Sequence, residues 1–320
     1  MELASLASNV SLANVGQTTA FTMEANQFSF RVLSDGLYQN KPGSMIRETA
    51  CNALDSHIQS GKGDVPIRIH LPDAFEPYYS VQDFGLGLDD NGVRSTFATY
   101  FKSTKREDNT ATGAFGLGSK TPFAYTDAFT ITAIKDGKKR QYAAFINEDG
   151  LPAITNMGGE CEGVYLNDDG VSITDQWTPT DEGNGVTIMV PVTTSNDFYR
   201  FRTETQNQLA FFPVKPEIIN CDSIKWMDWQ TGGEYMDLGN VFIGDRYNRA
   251  FSGLWIVQGP VGYKADVALL KQHVSHDNRE FIDIIGECGL LKFELGQIEV
   301  TPSREGVQYS KRTIDRKSVV

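Results

Sequence analysis

The chain has 320 residues, with 29 basic against 41 acidic side chains and a formal net charge of −12. Hydrophobic residues at 40% and charged residues at 22% belong to a globular protein and exclude a disordered one. The acidic balance argues against a nucleic-acid binder working through its overall field, but leaves room for a local cationic pocket.

At about 100–200 residues per domain, the length predicts two domains. No run approaches the roughly 18 apolar residues of a membrane span. The first residues, MELASLASNVSLANVG, lack the basic leader and apolar core of a secretory signal. Cys51, Cys161, Cys221 and Cys288 are far apart and read as reduced thiols of a cytosolic protein. His273 and His276 have no cysteine nearby and read as an exposed pair, not a zinc site.

In chain order, a polar lead-in runs to about Thr19. A helix is predicted near Ser29–Tyr38, then a turn at Lys41-Pro42-Gly43 and a longer helix from Ser44, as N-cap, to about Ser60. Pro66–Leu71 alternates as a half-buried strand does, with Tyr78–Phe84 as its neighbour. Asp89–Gly118 reads as a long polar connection holding a short helix around Ser95–Phe101. Phe129–Ile134 and Gln141–Ile146 form a hairpin about Asp136-Gly137, and Val186–Val192 is a further strand. The pattern resets near Thr193–Asn196. A second unit then starts with a helix at Phe198–Phe212, strands at Gly253–Val257, Gly262–Val267 and Ile298–Thr301, and a last helix from about Glu305. Helices among mostly antiparallel strands predict an α+β fold, with domains at 1–194 and 195–320.

On the helix Ser44–Ser60, Ile46, Ala50, Leu54 and Ile58 form one apolar stripe. Glu48, Asn52 and Asp55, at i, i+4 and i+7, fall on the opposite face. Alone, that is an ordinary amphipathic helix. Two glycine-rich segments change its meaning: QDFGLGL at 82–88 and GAFGLGSK at 113–120. Glycines permit close backbone approach, and free N–H groups at a helix start attract phosphate. An acid/amide helix, D-x-G-x-G and G-x-F-G-x-G in that order, about 30 residues apart, form a specific combination. The P-loop pattern G-x-x-x-x-G-K-[ST] is absent. So is a kinase set, because Asp83-Phe84-Gly85 stands in the wrong surroundings for one.

The combination resembles the GHKL ATPase superfamily of gyrase-type topoisomerases, ninety-kilodalton heat-shock chaperones, histidine kinases and MutL proteins. The longer segments SMIRETACNALDSH, VQDFGLGL, YFKSTK, TGAFGLGSKTPFAYTDAFTITA, NGVTIMVPV and VTPSREGVQYSKRT resemble the N-terminal part of phage RIIA-type proteins. Those are protectors from prophage-induced early lysis, and the likeness covers about Phe21–Arg316. It implies a Bergerat-type α/β sandwich followed by a smaller transducer-like α+β domain. RIIA-type proteins are longer, so a shortened version is expected.

The resemblance also implies roles. Glu48 matches the general base that activates the attacking water, Asn52 the Mg²⁺ ligand, and Asp55 the acid supporting that network. Asp83 matches the acceptor of the adenine amino group, with Gly85 and Gly87 turning the chain beneath the base. Gly113, Gly116 and Gly118 match the lid-side phosphate loop, with Phe115 and Leu117 between them and Phe115 as packing. Lys102 and Lys120 are candidate phosphate contacts. Arg304, in Pro302-Ser303-Arg304-Glu305, matches an arginine that reaches the γ-phosphate. Val186 follows Gly185 where the superfamily usually has threonine. Thr187, one position late, is the nearest match, although one position along a strand reverses a side chain's direction.

The implied activity is slow, Mg²⁺-dependent ATP hydrolysis driving a conformational switch in the cytoplasm of an infected cell. ATP would close a lid at about Asp89–Ala114. The alternative is a nucleotide-gated protein-binding module with little turnover. A topoisomerase and a histidine kinase are disfavoured, since neither a cleaving-tyrosine domain nor a phosphoacceptor helix can be placed. A host or phage protein partner, self-association and peripheral membrane association stay open.

Overall fold

The computed structural model describes residues 26–34, 36–98, 117–167, 169–221, 224, 226, 236–237, 240–244, 252–273 and 279–310. Helix α1 (Gln27–Ser34) leads to α2 (Lys41–Gln59). The expected turn at Lys41-Pro42-Gly43 is instead the first turn of α2. Its N-cap is Asn40, whose side chain accepts from the Gly43 N–H, and not Ser44. Proline at the start of a helix is preorganised there and has no N–H to leave unpaired.

Strands β1 (Arg68–His70) and β2 (Tyr78–Gln82) follow, then α3 (Asp90–Ala98) and a 3₁₀ segment at Gly118–Ala124. Next come β3 (Ala128–Lys135), β4 (Lys138–Ile146), β5 (Pro152–Asn156), β6 (Cys161–Leu166), β7 (Ser172–Pro179) and β8 (Gly185–Pro191). After α4 (Ser195–Gln208) and β9 (Glu217–Ile218), these strands form one mixed sheet in the order β6-β7-β4-β3-β8-β2-β1-β9, with β5 beside β4. All its pairings are antiparallel except β1–β9.

The β3–β4 hairpin turns at Asp136 and Gly137, with φ of 53° and 73°. This is the doubly left-handed turn that Asp-Gly favours. One face of the sheet carries Tyr79, Val81, Phe129, Ile131, Ala133, Tyr142, Ile188 and Val190, all buried. They belong to one core with Met45, Ile46, Ala50 and Leu54 of α2 and Phe201 of α4. Ile58, the last member of the predicted stripe, is exposed.

A smaller sheet is ordered β10 (Met236–Asp237), β11 (Val241–Ile243), β14 (Gly289–Phe293), β12 (Gly253–Gln258), β13 (Val261–Lys264). Helices α5 (Val267–His273) and α6 (Arg279–Cys288) precede β14, which lies parallel to β12. Its residues Leu254, Ile256, Tyr263 and Leu291 join the same core cluster as the large sheet. The architecture is therefore mixed α+β, as the alternating pattern predicts. The predicted strand at Ile298–Thr301 is reduced to a single bridge, Val300 to Val307, and residues 305–310 are not helical.

Candidate functional site

Helix α2 is buried on both sides, including the face that amphipathicity assigns to water. Two segments from far along the chain cover its polar face. The start of the 3₁₀ segment is one. A Cβ at Gly118 would stand 2.6 Å from Glu48 Oε2, so glycine lets this backbone close on the carboxylate.

The other cover is Ser303-Arg304-Glu305, each residue of which bonds to α2. Arg47 Nη2 donates to the Ser303 carbonyl at 2.9 Å. Arg304 Nη1 donates to Glu48 Oε2 at 3.0 Å. Glu305 accepts from the Asn40 N–H at 2.7 Å, the Gln39 N–H at 3.0 Å and Ser44 Oγ at 2.9 Å. A carboxylate there satisfies N–H groups at the start of α2 and complements the helix dipole. Arg304 holds φ at 54°, and its N–H closes a turn onto the Thr301 carbonyl at 2.8 Å.

Glu48 and Arg304 are 4% and 7% exposed. Burial opposes the Arg304 charge most strongly, but Glu48, Tyr263 and Cys51 together outweigh it and hold the guanidinium firmly cationic. Glu48 Oε1 lies 3.5 Å from Arg47 Nε, and neither atom has a hydrogen-bond partner among the described residues. Burial raises the Cys51 thiol to about 11 against the pull of Arg304. Burial, reinforced by Glu48, likewise raises the Tyr38 hydroxyl.

Asn52, half-buried, and Asp55, buried, continue along α2 from Glu48. Beyond them the helix meets the loop after β2. Asp83 Oδ1 accepts from the Gly85 N–H at 2.9 Å and Ser56 Oγ at 3.0 Å. Burial nevertheless raises the Asp83 carboxyl above its ordinary range. A Cβ on Gly85 would overlap Ser56, with that residue's backbone carbonyl 2.6 Å away. Gly87 has φ of 66°, and a Cβ there would run into the Ile134 carbonyl. Both glycines are required by geometry.

Other predicted residues fare differently. Lys120 is buried and donates to the Thr96 carbonyl near the end of α3 at 2.7 Å, as Ser119 Oγ does at 2.8 Å. Burial lowers its ammonium to about 8. It therefore ties the 3₁₀ segment to α3. Leu117 is buried beside that segment.

Thr187 pairs with Gln82 and Thr132 on the half-exposed face of the sheet, while its neighbour Ile188 faces the core with α2. It thus points away from the Glu48 side. Lys102, Gly113, Phe115, Gly116 and most of the expected lid lie outside the described residues, as does His276.

Residue-by-residue reading missed Arg47, Ser56, His57 and Glu305, which hold the surrounding segments onto α2. It also missed Asp90 at the start of α3, where the carboxylate takes Tyr142 OH at 2.8 Å, Tyr165 OH at 2.7 Å and Arg94 Nε at 2.7 Å. A signal existed for Glu305, in the same Ser-Arg-Glu run that singled out Arg304. For the others the signal is tertiary.

All four cysteines are free. Among the described residues no cluster of three or more His, Cys, Asp and Glu could hold a metal by itself. No described helix is long and apolar enough to cross a membrane. No family model matches the chain, and no curated protein matches it.

Proposed function

We propose that the chain is a GHKL-type, RIIA-like module that binds ATP with Mg²⁺ and hydrolyses it slowly as a conformational switch. The observation that carries this reading is the state of Glu48. Its Oε2 is held by Arg304, while its buried Oε1 lacks a hydrogen-bond partner among the described residues. A buried carboxylate oxygen in that condition suits the acceptance of a proton from an attacking water. Asp83, fixed by two donors at the far end of the same helix, suits recognition of an exocyclic amine.

The residues on α2 also fit the metal. Mg²⁺ is commonly held by one or two protein oxygens together with substrate phosphates, so it needs no all-protein cage. Asn52 would hold it, supported by Asp55, and the ion would supply charge neutralisation at the phosphates. Arg304 would exchange Glu48 for the γ-phosphate on ATP binding, freeing the base and moving the segment that bonds α2. Because Ser303 and Glu305 grip the same helix, that exchange would be felt across the smaller sheet. The protein it acts on would be a host or phage protein, in lysis timing or host exclusion.

The second reading, a nucleotide-gated binding module without turnover, draws on the same contact, since Arg304 on Glu48 describes a resting base. Steady-state phosphate release by wild type and Glu48→Ala, with ATP binding measured in parallel, separates the two. Hydrolysis predicts release from wild type that falls to background in Glu48→Ala while ATP still binds. Equal background release from both, with binding intact, overturns hydrolysis and leaves the binding module.

A further inference from the structure

We propose that Ser56 and His57, consecutive residues in the last turn of α2, are the positioning residues that give the site its preference for adenine over guanine. The inference rests on the adenine-nucleotide reading above and assigns its base selectivity to two side chains that touch no nucleotide.

The loop after β2 presents three successive N–H groups, and each has one partner. Phe84 N–H donates to His57 Nε2 at 2.7 Å. Gly85 N–H donates to Asp83 Oδ1 at 2.9 Å, and Leu86 N–H donates to Ser56 Oγ at 3.2 Å. These bonds dictate where the side-chain protons lie. Ser56 Oγ accepts from Leu86, so its own hydrogen goes to Asp83 Oδ1 at 3.0 Å. His57 accepts at Nε2, so its proton is on Nδ1 and goes to the Val65 carbonyl at 2.9 Å. His57 is fully buried and its bonding capacity is spent, which makes it a rigid post for the loop.

Selectivity follows from direction. Adenine offers an amine donor where guanine offers a carbonyl acceptor, so a carboxylate at that point attracts one and repels the other. An aspartate that can swing retains the charge but loses the discrimination. Ser56 fixes the plane of the Asp83 carboxyl through Oδ1, and His57 fixes the backbone from which that residue and Gly85 depart. Glycine at 85 is what lets the loop lie close enough for both bonds.

The experiment measures ATP and GTP affinity of the full chain, by calorimetry with Mg²⁺, for wild type, Ser56→Ala, His57→Ala and His57→Gln. Wild type is expected to favour ATP. Ser56→Ala is expected to lose about tenfold in ATP affinity with little change for GTP, the scale of one hydrogen bond to a charged group. His57→Ala is expected to narrow the ATP/GTP ratio similarly. His57→Gln, which keeps an acceptor for the Phe84 N–H, is expected to restore it. A purely structural role would lower stability or both affinities and leave the ratio alone.

A wild-type ratio in Ser56→Ala and in any folded His57→Ala overturns the assignment. So does a wild type that binds ATP and GTP equally. If His57→Ala does not fold, the half-buried Ser56→Ala decides alone. A wild type that binds neither nucleotide overturns the nucleotide reading itself, and this assignment with it.

Discussion

Arg304 Nη1 donates to Glu48 Oε2 across 3.0 Å, joining residues 256 positions apart inside a site that excludes almost all solvent. Removing one member of a buried pair strands the other charge in a medium that solvates it poorly. Such single losses cost about 3–5 kcal/mol, whereas apolar replacement of both members is often nearly neutral. Arg304→Met and Glu48→Leu are therefore each expected to destabilise by about that amount, and the double variant by much less than their sum. Urea denaturation of the four proteins measures the coupling. Additive losses would show that the pair contributes nothing as a pair.

Glu305 poses a separable test, because its three bonds go to Gln39, Asn40 and Ser44 at the start of α2 and none to the buried ion pair. Loss of a helix cap costs about 0.5–2 kcal/mol. Glu305→Ala is expected to destabilise within that range and to speed amide exchange in the first turn of α2. Its ATP affinity is expected to fall less than that of Asp83→Ala. Unchanged exchange in that turn would remove the capping role.

Much of this arrangement was legible in the sequence, for reasons that are local. The Asp136-Gly137 turn, the β3–β4 hairpin and the strand at Val186–Val192 follow from turn chemistry and alternation. Helix α2 follows from its apolar stripe, although its start moved back to Asn40 because Pro42 suits a first turn. The strands between 152 and 179 escaped because they carry no buried face: β6 alternates only between half-buried and exposed residues, and β7 has no buried residue. The short helices α5 and α6 escaped as well: the predicted strand Gly262–Val267 ran over the start of α5, where Asp266 caps the helix by accepting from the Leu269 N–H at 2.9 Å. At the site, Glu48, Asp83 and Arg304 carried motif signals. The closure of α2's polar face did not, since amphipathicity cannot distinguish a face covered by water from one covered by another segment. Lys120 shows the same limit, because its commitment to the Thr96 carbonyl is set by where α3 ends.

Asp83 gives a pH dependence whose sign is fixed by burial. Its folded carboxyl is raised, so the charged form is disfavoured in the fold relative to the unfolded chain. Such a group favours the fold fully below its unfolded value near 3.8, and that contribution is lost as pH rises through the raised folded value. Ionising Asp83 therefore costs the fold stability relative to its protonated form. Asp83→Asn keeps an oxygen to accept from Gly85 and Ser56 without the charge. It is expected to melt above wild type at pH 7, with the advantage shrinking as the pH is lowered through the acid range. ATP affinity is expected to fall in the same variant, because an amide can turn its NH₂ toward the base. A melting difference independent of pH would contradict the burial argument.

Thr187 and Gly85 make a matched pair of predictions about which side of the sheet matters. Thr187 lies on the half-exposed face with Gln82 and Thr132, so Thr187→Val is expected to keep ATP affinity within about twofold of wild type, well below the roughly 1.4 kcal/mol of a tenfold change. Gly85 lies against α2, where even one methyl group overlaps Ser56. Gly85→Ala is expected to push the loop off the helix, destabilise by about 1–3 kcal/mol as overpacking does, and abolish measurable ATP binding. Truncating Ser56 to glycine in the same chain would not restore binding, because its backbone carbonyl also stands 2.6 Å from the added carbon. Calorimetry on the three variants tests the geometry directly. A Thr187→Val protein that loses ATP, or a Gly85→Ala protein that keeps it, would place the base on the other face of the sheet.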